Sequence, residues 1–504
     1  MDENAVYVMA PLRVESSAAR RGASTAQVVR TGMGVRRSRR AARLMRATVA
    51  PHRTAAVVGV CGALDPSLEP GDVVVANEVR SADGRISMSL PGATIVAAEL
   101  AALGIPVHVG AIVCTERLEN SDQRRAELFA TGALAVDMES AWLLEDCNRH
   151  SVVVRVVLDT PRHDLRSLDT VRHLPLVRRR ITAVMPVIEK WGRSVRPRQA
   201  LLAGPRSFCA GVERAIQIVE RALDKFAPPV YVRRQIVHNT HVVGDLERRG
   251  AVFVQELDEV PNGAVTVLAA HGVSPEVRRQ AAERDLQVID ATCPLVAKVH
   301  SEARRFAARD FHIVLVGHAD HEEIEGTVGE ARNHTVIVGS IDDVDRLELE
   351  HPDRVAYLTQ TTLAVDEVNG IVARLRQRFP DLVGPHNDDI CYATQNRQEA
   401  VVAIASECDV VLVVGSANSS NSKRLTEVAA REGARAYLVD GAEHVRLDWV
   451  ESAGTIGITA GASAPESKVR ELIDALRGLG PLRVDERIIH EENVSFKLPV
   501  EVRE

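Results

Sequence analysis

Lysine is nearly missing from this chain. Of its 62 basic residues six are lysine and 56 are arginine. The bias runs through the whole chain, so a run such as "RRSRRAARLMR" (36–46) reads as a solvated helix face. Net positive charge is missing too. A formal charge of −7 excludes a non-specific nucleic-acid binder, which needs a basic surface. No apolar run approaches the ~20 residues that span a bilayer. The opening "MDENAVYVMAPLRVE" lacks a basic segment followed by an apolar one and predicts no signal peptide. Seven cysteines, without a secretion signal, fit a reducing cytoplasm. No two form a Cys-x-x-Cys pair, which removes the usual local signature of zinc.

What is present is a succession of short β-branched runs separated by helical segments: "AAVVGV", "GDVVVAN", "VVVRVVLD", "AVTVLAA", "HIVLVG", "TVIVGS" and "DVVLVVG". Such runs predict buried strands of parallel sheets covered by helices, an α/β class from end to end. Near "EKWGRSVRPRQA" (189–200) a helical segment gives way to Gly, Ser, Pro and Arg without apolar period. The expected division is therefore 1–196 and 197–504.

Three cysteines of the second half recur in one context: "RSFCAGVERA" (Cys209), "DATCPLVAKV" (Cys293) and "DDICYATQNR" (Cys391). Each stands where a strand end is expected to pass into a helix, and a helix N-terminus favours a thiolate. The intervals, 84 and 98 residues, are each the size of a small α/β unit, so three units could present their cysteines to one centre. Three unrelated buried cysteines are the alternative, since free cysteine is commonly buried. Cys61, Cys114, Cys147 and Cys408 lie inside apolar or helical runs and read that way. If three thiolates share a metal, soft-ligand chemistry points to zinc or an iron–sulfur cluster. A cluster tolerates distant ligands and commonly takes four cysteines, so three would leave one iron open.

Other segments suit an anion. In "LVVGSANSSNSKRL" (412–425), Ser419, Ser420 and Asn421 stand at an expected helix start, where phosphate is well held. A plain helix cap is the competing reading. "GITAGASAP" places Ser463 in a similar turn, while "IVHNTHVV" and "LAAHGVS" place His238 and His271 after strands. Either histidine alone could be structural; with the Ser-rich turns they suit a doubly charged ligand such as diphosphate. "GHADHEEIEGT" supplies His321 and Glu323 two residues apart, able in an extended loop to relay a proton, if burial raises the glutamate's pKa. "LTQTTLA" adds the hydroxyls of Thr361 and Thr362. A hydrophilic turn and a helix cap remain open for these two segments.

These segments occur in one order, with "GPRSFCAGVERA" first and "TAGASAP" last. Together they closely resemble the 4-hydroxy-3-methylbut-2-enyl diphosphate reductase family over about 200 to 500. The resemblance implies three pseudo-repeated α/β units around a central [4Fe–4S] cluster held by Cys209, Cys293 and Cys391. It implies Glu323 as proton donor, with His321 and Thr361 ordering the relay. His238, His271, Ser419, Ser420, Asn421 and Ser463 would hold the diphosphate, with His321, Thr361 and Thr362 completing the substrate site. Reductive loss of the allylic hydroxyl would yield isopentenyl and dimethylallyl diphosphates, with electrons from a ferredoxin or flavodoxin. Neither nucleic acid nor membrane insertion is implied. One departure is Ser207, where the pattern has glycine.

In the first half, "VVRTGMG", "VVGVCGALDPSLEPGDVVV", "ALAVDMESAWL" and "VRVVLDTP" resemble the nucleoside phosphorylase and nucleosidase superfamily over roughly 5 to 190. The resemblance implies a phosphate or ribose loop at Gly32 and Gly34, ribose contacts from Met138 and Glu139, and a base contact from Asp159. It also implies a possible water-activating role for Glu15. The Thr-Pro after Asp159 departs from the pattern, and a degenerate or regulatory domain is the alternative.

Overall fold

A computed structural model describes residues 5–50, 53–145, 147, 150–161 and 168–503. It resolves into two compact units: Met1–Ala200 with Gly441–Ile456 and Arg470–Val484, and Leu201–Asp440 with Gly457–Val469 and Asp485–Glu504. All seven β-branched runs quoted above form strands, and the class is α/β.

The first unit is built on an eight-stranded mixed sheet. Its order is Gln27–Arg30, Tyr7–Ala10, Ala55–Ala63, Ala133–Asp137, Val107–Cys114, Val73–Ser81, Ser87–Ser89. Ser151–Asp159 runs parallel to Ala55–Ala63 and antiparallel to Val73–Ser81. The central strands are buried at almost every position because helices cover both faces. The long helix Leu168–Ser194 buries Ile181, Val184, Met185, Ile188 and Trp191, a three-to-four-residue spacing that makes one apolar stripe. Trp191 donates its indole N–H to the carbonyl of Gly478 (3.3 Å), and Glu99 accepts from the Leu447 N–H (2.7 Å). Those two bonds tie the late segments to this unit.

The second unit contains three sheets. Ala251–Val254, Val230–Arg233, Val265–Leu268 and Gln287–Asp290 form a four-stranded parallel sheet in that order. Thr335–Val338, His312–Val316 and Val355–Thr359 form a three-stranded one. Val410–Val414 pairs in parallel with Arg435–Val439 in a five-stranded sheet. Loops at the carboxyl ends of these strands carry the polar segments singled out in the sequence, as open parallel sheets tend to do.

The expected placement of the cysteines needs one correction. Cys209 and Cys293 follow strands, Arg198–Gly204 and Gln287–Asp290. Cys391 instead follows the helix Val365–Arg378 and a loop, so no strand delivers it. The loop is held from the sides: the Thr359 N–H donates to Asp389 (3.0 Å), and the Cys391 N–H donates to the carbonyl of Thr361 (3.0 Å).

Ser207 sits in the left-handed region at φ +62°, the conformation glycine would adopt without cost. Its hydroxyl donates to Glu466 (2.7 Å), and its carbonyl accepts from Nη2 of Arg397 (2.8 Å). Arg397, on the helix Tyr392–Ala405, is wholly buried and also pairs with Glu492 (3.0 Å). Removing a buried charge partner costs about 3 to 5 kcal/mol. Arg397→Met should therefore lower the unfolding free energy by roughly 3 kcal/mol in a denaturant titration.

Candidate active site

Each of the three cysteines is an N-cap residue. Cys209 precedes the helix Ala210–Phe226, Cys293 precedes Pro294–Ala307, and Cys391 precedes Tyr392–Ala405. Pro294 occupies a first-turn position, where its missing N–H needs no partner. Each cap is tied to another loop: Cys209 N–H to Ala462 O (3.3 Å), Cys293 N–H to Ala270 O (2.9 Å), Cys391 N–H to Thr361 O (3.0 Å). Gly211 keeps the space beside two of the sulfurs open; a Cβ there would lie 2.8 Å from Cys293 Sγ and 3.8 Å from Cys209 Sγ. Burial pushes the thiol of Cys293 up to about 11 and that of Cys391 up to about 12, and the Cys209 sulfur adds to both.

All thirteen residues assigned in the sequence to this site line one cavity: the three cysteines, His238, His271, His321, Glu323, Thr361, Thr362, Ser419, Ser420, Asn421 and Ser463. The enclosed space available to water-sized occupants is about 110 Å³.

His238 and His271 stack with ring centroids 4.1 Å apart, and His321 stands edge-on to both, at 5.7 and 6.0 Å. Burial, with His271 adding to it, holds His238 down at about 3 and His321 at about 4. Nε2 of His238 and both side-chain polar atoms of Asn421 are buried without a hydrogen-bond partner, while Nδ1 of His271 faces Glu322 at 3.2 Å. Orphaned buried polar atoms are costly and uncommon in a finished fold. Those of His238 and Asn421 mark a place suited to a polar ligand.

His321 and Glu323 do not share an extended loop, contrary to expectation. His321 caps the helix Glu322–Glu330, and its Nδ1 accepts from the Glu323 N–H (3.2 Å). Glu323 is thus inside the first helical turn. Its carboxylate accepts from the Thr361 N–H (2.7 Å) and the Thr361 hydroxyl (3.0 Å). Only 2% of Glu323 is exposed, and that burial lifts it to about 7 against the pull of both hydrogen bonds. Ser419 is both a helix cap and a cavity residue: its Oγ accepts from the Ser422 N–H (3.3 Å). Ser463 donates to the carbonyl of His238 (3.1 Å).

Several contributors escaped the sequence reading. Gln360 donates to Thr362 Oγ1 (2.9 Å) and accepts from the His318 N–H (3.1 Å), bracing two loops. Thr394 lies against Cys391 Sγ (hydroxyl 3.1 Å, N–H 3.3 Å). A Thr three residues after a capping Cys was a readable signal. Phe496 and Tyr392 also line the cavity.

In the first unit the N–H of Gly34 donates to Glu139 (3.1 Å), so the glycine loop and "DMES" do meet. Gly32 and Gly34 both have left-handed φ, +85° and +86°. Met138 is half-buried. Glu15 is buried, accepting from the N–H groups of Leu12 (2.5 Å) and Val60 (2.7 Å). Arg155, wholly buried, pairs with Asp137 (2.5 Å). Asp159 is buried against the guanidinium of Arg125.

Fold and site together define an α/β protein with a cavity that three helix-capping cysteines share with a buried acid and three clustered imidazoles. Residues 200–477, more than half of the chain, match the LytB protein family, and the chain belongs to that family. Residues 18–184 match the Phosphorylase superfamily. "4-hydroxy-3-methylbut-2-enyl diphosphate reductase 2" of Mycobacterium bovis is 58% identical over 307 residues, 60% of this chain and 93% of that protein. "4-hydroxy-3-methylbut-2-enyl diphosphate reductase" of Leifsonia xyli subsp. xyli is 56% identical over 307 residues, 61% of this chain and 91% of that one. The solved structure of the E-1-hydroxy-2-methyl-but-2-enyl-4-diphosphate reductase from Plasmodium falciparum aligns with TM-score 0.59 and 37% identity, covering 61% of this chain and 97% of that one. Among the described residues no helix is long and apolar enough to cross a membrane.

The carboxyl of Glu323 is raised on folding, from 4.5 to about 7. Its contribution to stability is complete below the unfolded value and lost as pH rises through the folded one. Glu323→Gln should therefore unfold at a higher temperature than the parent at pH 8, and the gap should close at pH 4.

Proposed function

We propose that this chain reduces 4-hydroxy-3-methylbut-2-enyl diphosphate to isopentenyl and dimethylallyl diphosphates, the last step of the methylerythritol phosphate route to isoprenoids. One observation carries this reading: three thiols, a buried carboxyl raised to about 7 and unpaired polar atoms of His238 and Asn421 line the same cavity. The reaction exchanges a C–O bond for a C–H bond, so two electrons and two protons enter and water leaves.

Cys209, Cys293 and Cys391 are the residues to hold one [4Fe–4S] cluster, at the centre of three pseudo-repeated α/β units. The donor set fits. Among the described residues, the three sulfurs do not all lie within 4.8 Å of one another. One tetrahedral zinc would hold its thiolates ~3.8 Å apart. A fourth cysteine is absent from the lining. When bound, such a cluster supplies single-electron transfer and one iron without a protein ligand.

The rest belongs to the chain's own side chains. His238, His271, Ser419, Ser420, Asn421 and Ser463 hold the diphosphate, and Asn421 brings a free amide donor and a free acceptor. Glu323 gives a proton to the departing hydroxyl. Thr361 fixes both of its oxygens, so the acid keeps one orientation. Thr361 Oγ1, already donating to Glu323, has lone pairs left to accept from the substrate hydroxyl. His321 spends Nδ1 on its helix and has Nε2 left for the substrate, with Thr362 beside it. A ferredoxin or flavodoxin of the reducing cytoplasm supplies the electrons. Residues 197–504 carry this chemistry.

For residues 1–196 we infer a nucleoside-related activity, supported by the contact between Gly34 and Glu139. Asp159, held by Arg125, is a poorer candidate for the base contact. Base release from adenosine-type nucleosides, with or without phosphate, should be abolished by Glu139→Gln. No release from any nucleoside identifies a degenerate domain.

Anaerobic reconstitution should give a brown protein that turns over the allylic diphosphate, and Cys293→Ser should lose iron. Colourless, iron-free protein after reconstitution overturns the reading. Glu323→Gln should lower kcat about 10²- to 10⁴-fold, with little change in substrate affinity. Because the donor must be protonated and Glu323 titrates near 7, kcat of the parent should fall as pH rises above 7.

A further inference from the structure

His238, His271 and Glu322 form the one group of three metal-ligating side chains among the described residues whose ligand atoms all lie within 4.8 Å of one another. Glu322 is not among the residues assigned to the reduction. It opens the helix Glu322–Glu330, while His238 and His271 come from loops after the strands Val230–Arg233 and Val265–Leu268. Three separate backbone segments thus aim their side chains at one point. His238 lines both the inner cavity and the outer polar cleft, His271 only the inner cavity and Glu322 only the cleft. The point therefore lies on the passage between them.

Nδ1 of His271 is 3.2 Å from Oε2 of Glu322, an ion pair, while Nε2 of His238 makes no hydrogen bond. Two ligands of a tetrahedral zinc with bonds of 2.0–2.1 Å stand ~3.4 Å apart. The nitrogen and the carboxylate oxygen already hold that separation, and the free Nε2 of His238 lies within 4.8 Å of both. The stacked rings keep the two imidazoles side by side, and Ser463 holds the His238 carbonyl.

We propose that His238, His271 and Glu322 bind a divalent transition-metal ion of the zinc type, and that this ion excludes the diphosphate. Two imidazoles and a carboxylate suit zinc, nickel or cobalt rather than magnesium, and leave a fourth position open. The exclusion, unlike the site, rests on the reading that His238 and His271 hold diphosphate. Lys423 borders the outer cleft and favours the anion, whereas Arg234 beside it is already paired with Glu256 and Glu325.

The test is zinc titration of the anaerobically reconstituted holoenzyme by calorimetry, with visible absorption showing that the cluster's iron stays in place. The parent should bind one zinc ion per chain. Glu322→Gln should weaken binding at least 10-fold, and Glu322→His, which replaces one ligand by another, should restore it. In turnover, zinc should raise the apparent KM without lowering kcat, a chelator should reverse this, and Glu322→Gln should resist it. Absence of stoichiometric zinc, or equal affinity in parent and Glu322→Gln, overturns the site. Zinc that binds with Glu322-dependent affinity yet leaves KM unchanged supports the site and removes His238 and His271 from the diphosphate contacts.

Discussion

Three backbone hydrogen bonds, from the N–H groups of Cys209, Cys293 and Cys391 to the carbonyls of Ala462, Ala270 and Thr361, hold this site together. Each joins the start of one helix to a loop from elsewhere in the second unit. The cysteines are thereby placed by the loops that also carry Ser463, His271 and Glu323's partner Thr361. Thiol geometry and polar-ligand geometry are one constraint. A loop cannot move without carrying a cysteine and a cavity-lining polar group with it.

That arrangement is bought with stability. Orphaned buried polar atoms cost on the order of 1–3 kcal/mol each, and His238 and Asn421 place such atoms on the cavity wall. Helix N-termini favour thiolates, yet burial dominates at Cys293 and Cys391 and keeps their protons on. A bound metal cation would favour the deprotonated form and reverse that balance. The same burial acts oppositely on function at Glu323, where a raised carboxyl is what a proton donor near neutral pH requires.

Much of this was legible because the informative residue types are scarce or strongly patterned. Cysteine is rare, so three in one context stood out, and β-branched runs marked the strands. The failures share a physical cause. His321 and Glu323 looked like an extended pair because nothing local shows that a histidine ring will cap the helix. Cys391 looked like a strand-end residue because the loop before it is positioned by Thr359 and Thr361, about thirty residues upstream. Arg397 reads as one more arginine on a polar helix; only its partners 190 and 95 residues away reveal it. In the first unit Asp159 was picked out by its motif, but its pairing with Arg125 depends on a helix 34 residues earlier.

Arg397 reaches forward to Glu492, and Phe496 closes part of the cavity wall. The first of the three site cysteines is residue 209, so the pocket's lining is spread over nearly three hundred residues of sequence. Loss of the segment around Phe496 would leave all three thiols in the chain yet open the wall beside them.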